Sequence, residues 1–227
     1  EDLKVYCYNI TAKKIVFKTD YLPNWVKIEK KLHPQNIQFQ EYLKWRRQSS
    51  LFHNFNLFDN GLILLAVGDG LIFYDENGNL ISVRSIIDKP TIFTFVYYKC
   101  AGICAPLLRE MTDIVTKMDR TLGKDYQIVS LSFDPDEKPE LGSEKKGNYL
   151  AEIKKEVDPN GWRFLTGDSA NIARITDGAG FYFQRSGKDW IHAAALIVVS
   201  PKGKITRYLY GIQHLPFDVK MAVFEAS

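Results

Sequence analysis

The sequence predicts an α/β protein in which a mixed sheet is flanked by helices, and three observations carry that reading. Continuous apolar and β-branched runs recur in its second half, "PTIFTFVYY" at 90–98 and "YQIVSLSF" at 126–133, as strands buried on both faces require. Between them Leu107, Leu108, Met111, Ile114, Val115 and Met118 recur at the spacing of one helix face. Near the C-terminus the turns "RSGKD" and "SPKGK" join strand-like runs into an antiparallel pair, so the sheet is mixed rather than purely parallel.

Taken in order, "LKVYCYNITAKKIVFK" reads as a hairpin, and "NIQFQEYLKWRRQ" as an amphipathic helix with Phe39, Tyr42 and Leu43 on one face. The texture changes near Asn60 at "DNG", which divides an N-terminal extension, residues 1–66, from a main domain, residues 67–227. "GLIFYDENGNLISV" (70–83) is a hairpin about "ENGN", expected to join the main sheet. The strand at 90–98 leads into the helix, which Gly123 should stop. After the strand at 126–133, "DPDEKPEL" starts a helix near Pro139 that runs through Tyr149, Leu150, Ile153 and Val157 until "DPNG". "WRFLTG" (162–167) is a further strand, and "DSANIARITDGAG" a short helix with Asp168 as N-cap and Gly178 as stop. Strands follow at about 191–199 and 204–210, and "PFDVKMAVFEA" closes the chain as a helix with Val219, Val223 and Phe224 on one side.

The totals narrow the function. A chain of 227 residues, 45% hydrophobic, suffices for one good-sized core plus a small appended unit. Its 30 basic and 27 acidic side chains are mixed along the sequence, which disfavours nucleic acid as a partner. The aromatics fall inside strand-like runs, where core packing explains them. No apolar run approaches the roughly 20 residues of a membrane span. From a start at Glu1 rather than Met a processed or trimmed form is expected, with any signal peptide or anchor lost from view. Three cysteines do not make a disulfide framework.

Two of those cysteines, in "YYKCAGICAPLL", carry the chemistry. Cys100 and Cys104 lie four apart where a buried strand turns into a helix, so both sulfurs are expected near a helix N-terminus, whose N–H groups favour thiolates. Small buried core residues are the alternative, but the C-terminal ends of strands in open α/β sheets are where ligands bind. Cys7, inside "VYCYNI", reads as core or a free thiol. Thiolates are soft ligands and two leave a metal site incomplete. Of the four histidines, His192 is the candidate third ligand, because it precedes the apolar run "AAALIVV" on a sheet edge; His33 and His214 read as surface and His53 as core. Two thiolates and an imidazole suit copper better than zinc, which wants a fourth protein ligand. Asp134 and Asp136 in "SFDPDE" are either an acidic helix-leading turn or carboxylates at the same sheet edge, able to tune the thiols. The same cysteine pair could instead run thiol–disulfide exchange, one sulfur attacking and the other resolving.

The segments "PTIFTFVYYKCAGIC", "SFDPDEKPEL", "GWRFLTGD", "GKDWIHAAALIVVSPKGKITRYLYGI" and "LPFDVKMAVFEAS" resemble, in order, the bacterial Sco (SenC-type) proteins. That resemblance implies a thioredoxin-like fold and a copper chaperone for assembly of the copper centre of cytochrome c oxidase, with thiol–disulfide oxidoreduction as the alternative. It implies copper held by Cys100, Cys104 and His192, with Cys100 and Cys104 also a redox-active pair. Asp134 matches the acidic residue of the family's DP turn. The implied partners are the copper-bearing oxidase subunit or another copper chaperone, and the implied location is the periplasm, with a membrane anchor in the full-length protein. Family members often carry Pro after the first cysteine, where Ala101 stands here, leaving that loop less stiff. "LKVYCYNITAKKIVFK" is similar to a segment that follows the domain in relatives, which leaves a rearranged order, a composite chain or coincidence open for residues 1–66.

Overall fold

The computed structural model describes residues 5–9, 14–19, 71–187 and 189–227. The chain divides into two compact units, Glu1–Gly61 and Leu62–Ser227. In the first, β1 (Val5–Asn9) and β2 (Lys14–Thr19) pair antiparallel, with an irregularity between Cys7 and Tyr8. The hairpin expected there is present. The helix expected over 36–48, and with it His33 and His53, lie outside the described residues.

The second unit opens with β3 (Ile72–Tyr74) and β4 (Leu80–Ser82), antiparallel strands around the turn in which Gly78 takes a left-handed φ of 81°. This hairpin does not join the main sheet as expected. It forms a two-stranded sheet of its own, tied to its neighbour by the single bridge Tyr74–Thr166. Strands of three residues with Ile72, Tyr74 and Leu80 exposed bury too little to extend a sheet; only Phe73 is fully inserted. Gly167 makes room for it, since a Cβ there would stand 2.4 Å from the Phe73 ring.

After the short α1 (Val83–Ile86) come β5 (Thr91–Val96), α2 (Cys104–Lys117), β6 (Gln127–Ser132), α3 (Pro139–Glu152), β7 (Trp162–Leu165) and α4 (Ser169–Gly178). Then β8 (Phe183–Ser186) pairs with β9 (Asp189–His192) as a separate hairpin, followed by β10 (Ala195–Val199), β11 (Ile205–Tyr210) and α5 (Pro216–Glu225). The central sheet runs β11-β10-β5-β6-β7, with β5, β6 and β7 parallel and β10 antiparallel to both neighbours. It is the mixed sheet flanked by helices that the sequence predicts. The strand expected over 191–199 is in fact two. His192 ends one pair, and the fully buried "ALIVV" enters the main sheet after a break at Ala193 and Ala194. Two helices stop earlier than expected, α2 at Lys117 and α3 at Glu152. On α5 the buried side is Val219, Ala222 and Val223, while Phe224 is exposed.

β5 and β6 are buried along their whole length although β6 carries Gln127, Ser130 and Ser132. The hydroxyl of Ser130 explains how: it lies 2.8 Å from Thr94 Oγ1 and accepts the Trp162 indole N–H at 2.9 Å, so the interior polar groups satisfy one another. On the opposite face Phe95 packs against Phe181 with ring centroids 5.0 Å apart. Among the described residues no helix is long and apolar enough to cross a membrane.

Two side chains fasten the outer pieces. Glu76, buried in the β3–β4 turn, pairs with Lys146 of α3 and with Arg163 of β7 at 3.3 Å. Removing one partner of a buried ion pair leaves a charge uncompensated. Lys146→Met should therefore lower unfolding free energy by about 3 kcal/mol, the low end of that class because Arg163 remains, read by urea denaturation. Asp168 caps α4, accepting the Asn171 N–H at 2.8 Å, as the sequence predicts. That bond, partly opposed by burial, holds the Asp168 carboxyl below its ordinary value. The cap thus stabilises above the unfolded carboxyl pKa of about 3.9, and its contribution fades as pH falls through the lower folded value. Asp168→Ala should cost about 1 kcal/mol at pH 7, with the gap to wild type narrowing below about pH 4 in the same assay.

Candidate metal centre

At the end of β5 the chain makes a tight turn, closed by the Cys100 N–H donating to the Tyr97 carbonyl at 3.1 Å, and bends through Ala101–Ile103 before α2 begins at Cys104. Cys100 and Cys104 therefore do not share a helix face. One sits in the turn, half-buried, and the other is the first helical residue, 2% exposed. Ala101, where Pro would stiffen the loop, is exposed.

The third predicted residue arrives from the far side of the chain. His192 ends β9, and its Nε2 lies 3.4 Å from Cys104 Sγ. The ligand atoms of Cys100, Cys104 and His192 all fall within 4.8 Å of one another, the one such group among the described residues. The His192 Nδ1 is 2.9 Å from the Ala193 carbonyl oxygen. A carbonyl can only accept, so Nδ1 carries a proton, and Nε2 is the ring nitrogen that faces the sulfur. His214 is held apart from this group, its Nε2 3.1 Å from the Gly211 carbonyl.

The two thiols are not equivalent. Burial pushes the Cys104 thiol far up, outweighing its place at the start of α2. Burial also pushes Cys100 up, but hydrogen bonds from Cys104 and from the Gly102 N–H outweigh it and bring the thiol below its ordinary value. The Gly102 N–H lies 3.3 Å from Cys100 Sγ. The bias towards thiolate expected of both cysteines is thus found at Cys100 alone.

Aromatic rings hold the histidine hairpin in place. Phe133, fully buried one residue past β6, lies under His192 at 5.0 Å between ring centroids, under Phe183 at 4.6 Å and under Trp190 at 5.9 Å. Tyr97 meets the His192 ring edge-on and donates its hydroxyl proton to Asp189 at the start of β9. Asp134 stands outside the three-ligand group. Its carboxylate accepts the Asp136 N–H at 3.0 Å and the Trp190 indole N–H at 3.3 Å, so it reaches the site through the hairpin. Asp136 pairs with Arg185 at 3.8 Å, and Arg185 covers the Trp190 ring. Sequence reasoning passed over Tyr97, Phe133 and Glu137. The first two looked like strand core, which they also are. Glu137, in the loop before α3, is 3% exposed and accepts the Tyr98 N–H at 2.6 Å and the Lys99 N–H at 2.8 Å.

The sequence and the fold both have known relatives. The chain is 28% identical over 151 residues to the SCO1 protein homolog of Bacillus subtilis (strain 168), covering 64% of this chain and 75% of that one. BsSco, a member of the Sco family of cytochrome c oxidase assembly proteins in which a disulfide switch is identified, superposes with a TM-score of 0.53 at 25% identity, covering 68% of this chain and 90% of that one. Arabidopsis thaliana ScoI, solved with copper bound, has the same fold, with a TM-score of 0.57 at 21% identity over 70% of this chain and 98% of that one. The model of the SCO1/SenC family matches residues 67–218, a span that runs from the β3–β4 hairpin to the start of α5, and the chain belongs to that family.

Proposed function

We propose that this protein is a copper-binding metallochaperone that delivers copper to, or prepares the cysteines of, the copper centre of cytochrome c oxidase. The observation that carries this reading is the convergence of two sulfurs and an imidazole nitrogen, from a turn, a helix start and a distant hairpin, within 4.8 Å. The donor set fits the metal: soft thiolates and a neutral imidazole suit copper(I), and the hydrogen bond from Nδ1 to the Ala193 carbonyl orients the ring as outer-shell partners of metal-binding histidines do. Cys100, Cys104 and His192 would hold the ion. Copper is here cargo, to be passed by ligand exchange to thiolates of the copper-bearing oxidase subunit or taken from another copper chaperone. Such a role places the protein on the periplasmic side, anchored to the membrane in its full-length form. Asp134 supports the site by holding Trp190, and with it the strand that ends in His192.

A second reading, thiol–disulfide oxidoreduction on periplasmic partners, is favoured by the asymmetry of the thiols. Cys100, more acidic and half-exposed, suits attack on a partner disulfide, and buried Cys104 suits resolving the mixed disulfide.

Reduced protein should bind about one copper(I) per chain in competition with a chromophoric chelator. His192→Ala should lower that affinity by more than the roughly 100-fold seen for loss of an outer-shell partner. An unchanged affinity would remove His192 from the ligand set. In an insulin-reduction assay a metal-independent reductase keeps its rate in His192→Ala and loses it in Cys100→Ser, whereas a dedicated chaperone shows little turnover in either form.

A further inference from the structure

The turn that carries Cys100 has a gap in its own bonding. In a β-turn closed from Cys100 to Tyr97, the N–H groups of the central residues, Tyr98 and Lys99, have no partner within the turn. At the end of a buried strand such donors cannot be left alone. Both are taken by one buried side chain: Glu137 Oε2 accepts from Tyr98 at 2.6 Å, and Oε1 accepts from Lys99 at 2.8 Å. The Ser132 hydroxyl adds a third bond to Oε2 at 2.6 Å. A single-oxygen acceptor could satisfy either peptide; only a carboxylate spans two consecutive N–H groups with equivalent oxygens. Glu137 itself is anchored, its own N–H donating to the Asp134 carbonyl at 3.2 Å.

We propose that Glu137 is the positioning residue of the thiol pair: by clamping the Tyr98 and Lys99 peptides it holds Cys100 against Cys104 and His192. Whatever uses the nearness of the two sulfurs then depends on this carboxylate, which touches neither. Copper binding uses it, and so does disulfide formation, in which Cys100 and Cys104 give up two electrons and two protons to oxidised glutathione, released as two molecules of reduced glutathione. The copper arm rests on the function proposed above; the disulfide arm does not.

The test compares Glu137→Gln and Glu137→Asp with Lys146→Met, which weakens the fold away from the thiols, all in the 227-residue chain at temperatures where each is folded. Gln offers one accepting oxygen and turns an amide against the second N–H. Asp keeps both oxygens but falls a methylene short. In metal-free Glu137→Gln the Tyr98 and Lys99 amides should lose hydrogen-exchange protection while β6 amides keep theirs. Its glutathione equilibrium should move about tenfold towards the dithiol, a rise in reduction potential of about 30 mV. Copper(I) affinity should fall roughly tenfold or more. Glu137→Asp should shift both in the same direction by less, and Lys146→Met should shift neither. Glutathione equilibria within twofold of wild type in both Glu137 variants, or an equal shift in Lys146→Met, would overturn the proposal. A wild type that binds no copper but shows the glutathione shift on substitution would sink the copper reading and leave the positioning role standing.

Discussion

The parallel register between β5 and β6 is the constraint on which the site depends. Thr91 stands opposite Gln127 and Val96 opposite Ser132, and the ladder continues one step as the Phe133 N–H donates to the Val96 carbonyl at 2.8 Å. Two loops of unrelated sequence therefore leave the sheet side by side: Tyr97–Cys100 from β5, and Phe133–Glu137 from β6. A slip of one residue would send every side chain of a strand to the opposite face. Phe133 would leave the hairpin, and the Glu137 carboxylate would lose the peptides of Tyr98 and Lys99. That register is secured by burial of both strands on both faces and by the Thr94–Ser130–Trp162 hydrogen bonds that link β5, β6 and β7.

Within that frame the two sulfurs meet opposite surroundings. Cys104 has the positive end of a helix beside it and would, in water, ionise more readily for it. Desolvation wins because a helix terminus is worth about 1 kcal/mol at most sites, whereas withdrawing a thiolate from water shifts its pKa by several units. Cys100 is wetter, and the donors around it are aimed at its sulfur. The result is one thiol held below its ordinary value and one, beside the His192 ring, pushed above it. A pair with two equally ionised sulfurs would repel itself in the absence of metal; this arrangement avoids that repulsion.

Much of the fold was legible in the sequence, because burial on both faces writes itself as unbroken runs such as "TIFTFV" and because Asp168 announces the helix it caps. The failures share a cause. The β3–β4 hairpin and the strand ending at His192 have the apolar residues of a strand of the main sheet, and only the partners in space reveal that they form separate pairs. The three candidate ligands were legible because cysteine and histidine are few. Glu137 was not, because a glutamate before a helix is ordinarily solvated, and nothing in "DPDEKPEL" says that two peptide donors from another strand end above it. Tyr97 was hidden for the converse reason: an aromatic in an apolar run already has a sufficient explanation in packing.

The CxxxC spacing alone does not make the site. It supplies two sulfurs, one in a turn and one at a helix start, and leaves both their separation and the third ligand open. The imidazole comes on a two-stranded ribbon outside the main sheet, which is fixed by contacts of different kinds: Phe133 beneath three of its rings, the Tyr97 hydroxyl on Asp189, and the Asp134 carboxylate on the Trp190 indole. The first two sites of attachment come from the ends of β5 and β6, and the third from the turn after β6. The same strand ends thus position the sulfurs and the histidine, so a disturbance at either end reaches all three side chains together. In that sense the unit that binds is the pair of strand ends, and the spacing of the cysteines is only its most visible part.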